Sequence, residues 1–223
     1  MNVSAPVVIT IDGPSGSGKG TLSQMLARYL GYHLLDSGAL YRLVALAAMK
    51  KGIDLHDESA ISQVAAELDV IFSLEDDRSA QILLNGIGVT EAIRQEAVSM
   101  GASQVAAYSG VRAALLERQR AFAVAPGLVA DGRDMGTTVF PSAKAKLFLT
   151  ASAEARAERR YNQLCAKGES VDMAELVRDI RERDERDSTR TISPLKPAGD
   201  AVIIDSTAMT IDEVFASMLA AIR

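Results

Sequence analysis

At 223 residues the chain is long enough for one sizeable core with a small insert, but not for two full domains and a linker. Apolar residues make up 48% and charged residues 24%, an ordinary globular balance, and the net charge of −5 excludes the broad positive field that non-specific nucleic-acid binding needs. One cysteine, Cys165, rules out an intrachain disulfide or a cysteine-based zinc site, and two distant histidines, His33 and His56, argue against a histidine-centred metal site or a Ser–His–Asp triad.

Val7–Ile11 (VVITI) is a β-branched run ended by Asp12-Gly13-Pro14, and reads as a buried parallel strand. Lys19 to Tyr29 follows with helical periodicity, Leu22, Met25, Leu26 and Tyr29 forming one stripe. A short strand is expected at Tyr32–Leu35, with Asp36-Ser37 capping a helix that starts near Ala39. Between about residues 51 and 100 the texture changes. A helix (Glu58–Leu68) leads into Val70–Leu74, the charged turn Glu75-Asp76-Asp77-Arg78-Ser79, then Gln81–Leu84, an Asn85-Gly86 turn and Ile87–Thr90. Short strands with tight turns predict a small antiparallel sheet inserted in the main fold.

Two helices are expected over Glu91–Tyr108 and Val111–Ala125, after which a β/α rhythm resumes. Leu128–Ala130 is a strand running into DGRDMGT (131–137), and Ala145–Leu149 is another. Charged helices cover Glu154–Ala166 and Met173–Arg186, and Cys165, on the first of them, is expected as a buried structural thiol. Ala201–Ile204 is the last strand and Ile211–Ile222 the closing helix. Strands alternating with helices imply an α/β fold, a parallel sheet with helices on both faces. No signal-type segment occurs, and no apolar run reaches the roughly 18 residues of a membrane helix. The expectation is a cytoplasmic protein without membrane or nucleic-acid partners, and a monomer for want of a long exposed apolar segment.

The strongest motif is GPSGSGKGT at 13–21, between strand and helix: Gly13, Pro14, Ser15, Gly16, Ser17, Gly18, Lys19, Gly20 and Thr21. This is a phosphate-binding loop in the context it requires, so the sheet is of the P-loop NTPase type. Glycines let successive backbone N–H groups turn inward on a phosphate at the positive end of a helix, and Lys19 adds a point charge. Gly20 stands where the general pattern has Ser or Thr, and the hydroxyl follows at Thr21. No Asn-Lys-x-Asp element for guanine is present, which counts against a GTPase switch.

Arginines recur at helical spacing. Arg156, Arg159 and Arg160 share one face, as do Arg183, Arg186 and Arg190 if that helix continues far enough. A solvated, salt-bridged helix is the alternative, since RERDERD (181–187) also supplies acids. Beside a phosphate loop the balance favours phosphate binding, because phosphoryl transfer spreads charge over oxygens that positioned cations stabilise.

The loop ending in GKGT, DSGALYR (36–42), DGRDMGT (131–137) and RERDERDSTR (181–190) together resemble the bacterial cytidylate kinases, collinearly over essentially the whole chain. The resemblance implies a single kinase domain with a core at about 1–36 and 101–223. It also implies a nucleoside-monophosphate-binding insert at about 37–100 and a short lid at about 154–170. It implies transfer of the γ-phosphoryl group of ATP to CMP or dCMP, with Mg²⁺ accompanying ATP and Thr21 as its protein ligand. Lys19, Arg156, Arg159 and Arg160 would be catalytic. Ser37, Tyr41, Arg42, Ser103, Arg112, Arg133, Asp134, Arg183, Asp187 and Arg190 would hold CMP. Among them Arg42 and Arg133 fall to its phosphate, and Asp134, Arg112 and Arg190 to the base. Ser103, Arg183 and Asp187 fall around the ribose. No general base is required, since a phosphate monoester with a second pKa of about 6 is already largely dianionic. A kinase of a small non-nucleotide metabolite shares the loop and the sheet, but has no need of all four motifs.

Overall fold

The VVITI run forms strand β1, Val7–Asp12, and side chains alternate across it. The computed structural model describes residues 5–73, 81–166 and 168–222. After β1 come α1 (Lys19–Leu30), β2 (His33–Asp36), α2 (Ser37–Lys50), α3 (Glu58–Ala66), β3 (Val70–Ser73), β4 (Gln81–Leu84) and β5 (Ile87–Gly88). A 3₁₀ turn at Ala92–Arg94 precedes α4 (Glu96–Val105) and α5 (Ser109–Arg120). The chain continues with β6 (Gly127–Gly132), a π-helical turn (Met135–Val139) and β7 (Ala145–Thr150). It ends with α6 (Ala153–Cys165), α7 (Met173–Thr189), β8 (Val202–Asp205) and α8 (Ile211–Ala221).

These elements divide into two compact units, residues 1–36 with 119–223, and residues 37–118. The second unit continues past residue 100, the expected end of the insert, through α4 and most of α5 to Arg118.

In the first unit, β2, β6, β1, β7 and β8 lie side by side in that order as a parallel sheet. Ile9 and Ile11 on β1, Val129 on β6, Leu147 and Leu149 on β7 and Ile204 on β8 form one apolar layer. Leu22, Leu26 and Ala27 of α1 and Val214 and Met218 of α8 close over it. Burying such a side chain contributes about 1.5–3 kcal/mol, so this layer fixes where the carboxyl ends of the strands lie. Thr10 and Asp12 point to the opposite face of β1 and are also buried. Helix ends carry their own caps: Ser152 Oγ accepts from Ala155 N at 3.1 Å, Asp172 Oδ1 from Glu175 N at 2.9 Å, and Thr210 and Glu213 form a reciprocal box.

In the second unit, α2 is apolar nearly all round, with Leu40, Leu43, Val44, Ala45 and Ala48 buried, and packs against α4 and α3. Beside it stands the expected antiparallel sheet, β3-β4-β5. Asn85 and Gly86 both take positive φ, 50° and 74°, as a two-residue hairpin turn matched to strand twist demands.

Several expectations need correction. Tyr29 does not join the buried stripe of α1. It is 65% exposed and meets Phe215 edge-on at the surface, while Ser23 and Ala27 complete the buried face. Helix α2 begins at Ser37, two residues before the expected start, directly after Asp36 closes β2. The helix expected over Glu91–Tyr108 is broken at Gln95, whose extended backbone separates the 3₁₀ turn from α4. Cys165 is exposed at the end of α6 instead of buried. Leu74 and the turn Glu75-Asp76-Asp77-Arg78-Ser79 lie outside the described residues.

Candidate active site

Strand β1 delivers the glycine-rich loop directly onto α1. Gly13 has φ 152°, and a Cβ there would lie 2.0 Å from the carbonyl oxygen of Leu149, so the loop begins against the end of β7 where only glycine fits. Pro14, Ser17 and Lys19 are buried, Ser15 is half-buried, and Gly16, Gly18, Gly20 and Thr21 are exposed. Lys19 Nζ reaches back across the loop to the Pro14 carbonyl at 2.6 Å and to Ser17 Oγ at 3.4 Å. Ser17 Oγ donates to the same carbonyl at 3.1 Å. The ammonium therefore sits inside the curl, with the N-terminus of α1 behind it.

Burial lowers the Lys19 pKa to about 7, Arg133 pushing in the same direction and Asp131 and Asp12 against it. Burial raises Asp131 to about 7, opposed by Lys19. Both shifts have one cause: these charges are held out of water at the carboxyl ends of adjacent strands, where open α/β sheets bind ligands. Asp131 lies opposite Ile11 in the register of β1 and β6 and opposite Asp36 in that of β2 and β6. Its Oδ2 is 3.8 Å from where a Gly20 Cβ would stand, which places it beside the start of α1. The exposed Thr21 hydroxyl and the Asp131 carboxylate are hard oxygen donors of the kind Mg²⁺ takes. Among the described residues no group of three or more His, Cys, Asp or Glu side chains could hold a metal unaided. That suits an ion which keeps several waters and is bound largely through substrate phosphates.

From the end of β6 the chain turns through Arg133 and Asp134 into the π-helical turn. Asp134 is buried, and its carbonyl accepts from Thr138 N at 2.9 Å and Val139 N at 3.2 Å. Arg133 is half-buried and donates from Nε to Asp187 Oδ2 at 2.9 Å. Burial alone would raise the Asp187 carboxyl, but Arg133, Arg190 and Arg183 together hold it below the usual carboxylate range. Helix α7 ends at Thr189, so Arg190 is not on its face but at its C-terminal cap. It is buried there and donates from Nη2 to the Ser193 carbonyl at 3.0 Å. Arg133, Asp187, Arg183 and Arg190 thus form one charged cluster within the first unit.

The three arginines of α6 have different settings. Arg156 is 3% exposed and fully engaged: Nε donates to the Ala151 carbonyl at 3.0 Å, Nη1 to the Ser15 carbonyl at 3.0 Å, and the guanidinium grips Asp184 through both nitrogens. It therefore ties the phosphate loop to α7. Arg159 donates to the Ser206 carbonyl at 2.5 Å, and Arg160 is half-buried.

The second unit brings others together. Ser37 and Tyr41 are buried one turn apart on α2, with Arg42 half-buried next to them. The Arg112 guanidinium lies over the Tyr41 ring, 5.7 Å from its centroid, and donates to the Ala106 carbonyl at 3.1 Å. Ser103 is buried in α4.

The cytidylate kinase family pattern matches residues 9–223. This chain belongs to the cytidylate kinase family. It is 60% identical to the cytidylate kinase of Pseudomonas paraeruginosa (strain DSM 24068 / PA7) over 220 residues, 98% of this chain and 96% of that protein. It is 57% identical to the cytidylate kinase of Aeromonas hydrophila subsp. hydrophila over 99% and 95% of the two chains. The cytidylate kinase of Stutzerimonas stutzeri (strain A1501) is 60% identical over 95% and 93%. In a nucleotide kinase of this family, two features that sequence reasoning did not find acquire meaning. Asp12 and Asp131 are buried acids at the ends of neighbouring strands. The available signal was a lone acid terminating an apolar run just before a glycine.

Proposed function

We propose that this protein transfers the γ-phosphoryl group of ATP to CMP or dCMP, giving ADP and CDP or dCDP. The observation that carries the reading is the juxtaposition, on adjacent parallel strands β1 and β6, of a phosphate loop holding Lys19 and a turn holding Arg133 and Asp134. One strand end serves the donor and its neighbour the acceptor.

The backbone N–H groups of the loop and the Lys19 ammonium would take the β- and γ-phosphates, Lys19 leaving the Pro14 carbonyl for phosphate oxygen. A strongly charged ligand there restores the ammonium that burial disfavours. Nucleotide kinases of this family generally use Mg-ATP. Thr21 and Asp131 are the residues that would hold Mg²⁺, which supplies charge neutralisation at the β/γ oxygens. Arg133 binds the CMP phosphate, and Asp134 accepts a hydrogen bond from the cytosine amine. Asp187, Arg183 and Arg190 line the sugar and the base edge. Ser37, Tyr41, Arg42, Ser103 and Arg112 are assigned to the acceptor by the family resemblance alone. Residues 154–170 would act as a lid that excludes water from the reacting phosphates, Arg159 leaving the Ser206 carbonyl and joining Arg160 on the triphosphate. Because the acceptor phosphate is already ionised, catalysis reduces to alignment and charge stabilisation.

An ADP-release assay over a panel of acceptors tests the reading. CMP and dCMP should outpace UMP, AMP and small non-nucleotide alcohols and acids. Turnover confined to a non-nucleotide acceptor would replace it with a metabolite kinase, and binding of ATP without turnover on any acceptor would replace it with a switch.

A further inference from the structure

Asp12 is buried to within 4% of full enclosure, and it is the residue immediately before the phosphate loop. Its Oδ1 accepts from Met135 N and its Oδ2 from Gly136 N, both at 2.8 Å. These are the first two N–H groups of the turn that follows Arg133 and Asp134. The other side of the turn closes on the Asp134 carbonyl through Thr138 N and Val139 N. The backbone of Asp134 (φ −144°, ψ 26°) is thereby bracketed, and with it the directions in which Arg133 and Asp134 leave the chain.

We infer that Asp12 is a positioning residue for the acceptor: its carboxylate sets the Arg133–Asp134 turn in register with the phosphate loop. The inference rests on the proposed function, since it assigns Asp12 to the CMP side of that site. The two N–H groups meet two separate acceptor oxygens, which a carboxylate has, whereas an amide or a hydroxyl offers a single oxygen. Enclosing that carboxylate is unfavourable. Burial raises its pKa to about 6, Asp134 adding to the shift, while the two backbone N–H groups and Lys19 oppose it; Asp131 is a further acid within its field. An apolar or amide residue would pack there without that cost, so the charge answers to the turn. Asp12 is also anchored from behind. Gly13, the next residue, packs so closely on β7 that a Cβ there would lie 2.0 Å from the Leu149 carbonyl oxygen, so the backbone on the loop side of Asp12 is closely fitted.

Steady-state kinetics of full-length Asp12→Asn test this. Asparagine offers one oxygen and turns an NH₂ toward the second N–H, which should release one side of the turn. The KM for CMP should rise about 10-fold or more and the preference for CMP over UMP should fall, with the KM for ATP within about two-fold of wild type. Asp12→Ser, smaller and uncharged, should shift the same parameters in the same direction and carries the test if the asparagine variant does not fold. CMP and ATP parameters that change equally, or not at all, in a variant whose wild type phosphorylates CMP would overturn the inference alone. A wild type inactive on CMP would overturn the acceptor assignment and this inference with it.

Discussion

Arg133 and Asp187 lie 54 residues apart in sequence, yet Arg133 Nε donates to Asp187 Oδ2 at 2.9 Å, in a setting where the carboxylate is almost wholly enclosed. The pair joins the turn after β6 to the inner face of α7, and Arg183 and Arg190 add positive charge around it.

Breaking this pair should affect stability in a pH-dependent way. The folded pKa of Asp187 is lowered, so the native state binds this proton less readily than the unfolded chain. The stabilisation is therefore fully present above an unfolded carboxyl pKa of about 3.9, and is lost as pH falls below it. Asp187→Asn should lower unfolding free energy at pH 7 by about 3 kcal/mol, with the difference shrinking as pH falls below about 4. Urea unfolding of both proteins across that range checks the sign. A difference that is constant with pH would mean the loss comes from packing.

The same pair should act as a unit in function. Asp187→Asn and Arg133→Lys should each weaken use of CMP by about 10-fold or more, and the double variant should lose less than the sum in free energy. ATP should be little affected, because the cluster is assigned to the acceptor. Strict additivity would mean two independent contacts.

Arg156 should behave differently from the arginines assigned to CMP. Its guanidinium satisfies the Ala151 and Ser15 carbonyls and Asp184 together, a fork that an ammonium cannot reproduce. Arg156→Lys should loosen the phosphate loop and raise the KM for ATP by about 10-fold, leaving the KM for CMP near wild type. An unchanged ATP response would confine Arg156 to joining α6 and α7.

Asp134 should decide the base. Uracil places a carbonyl oxygen where cytosine has its amine, so a buried carboxylate would face it with no proton between them. Asp134→Asn can donate as well as accept, and should reduce the CMP/UMP ratio of kcat/KM by about 10-fold or more. Paired assays on the two acceptors measure it, and an unchanged ratio would remove Asp134 from base recognition.

Much of this was legible in the sequence because it is written locally. VVITI ended by Asp-Gly-Pro, the glycine loop and the Asn85-Gly86 hairpin each specify their backbone within a few residues, and the structure places each as expected. What could not be read is set by tertiary neighbours. Tyr29 fits a helical stripe, but it lies largely exposed, its ring edge-on to Phe215. Arg190 follows Arg183 at helical spacing, yet the helix stops one residue before it. Asp187 stands among the acids of RERDERD on a charged helix, and nothing in that spacing points to Arg133 as its partner. Asp12 looked like a turn residue, because nothing local shows that two amides from residues 135 and 136 converge on it.

Lys19 and its loop should move the γ-phosphoryl group from ATP to CMP, and the fate of that phosphate can be followed by labelling it. With γ-labelled ATP and CMP in a single turnover, the label should appear in the β-position of CDP. In Lys19→Met it should appear there at least about 10²–10³-fold more slowly, with the circular dichroism spectrum unchanged. Label released only as inorganic phosphate, or a Lys19→Met rate equal to that of wild type, would rule out transfer to CMP through this loop.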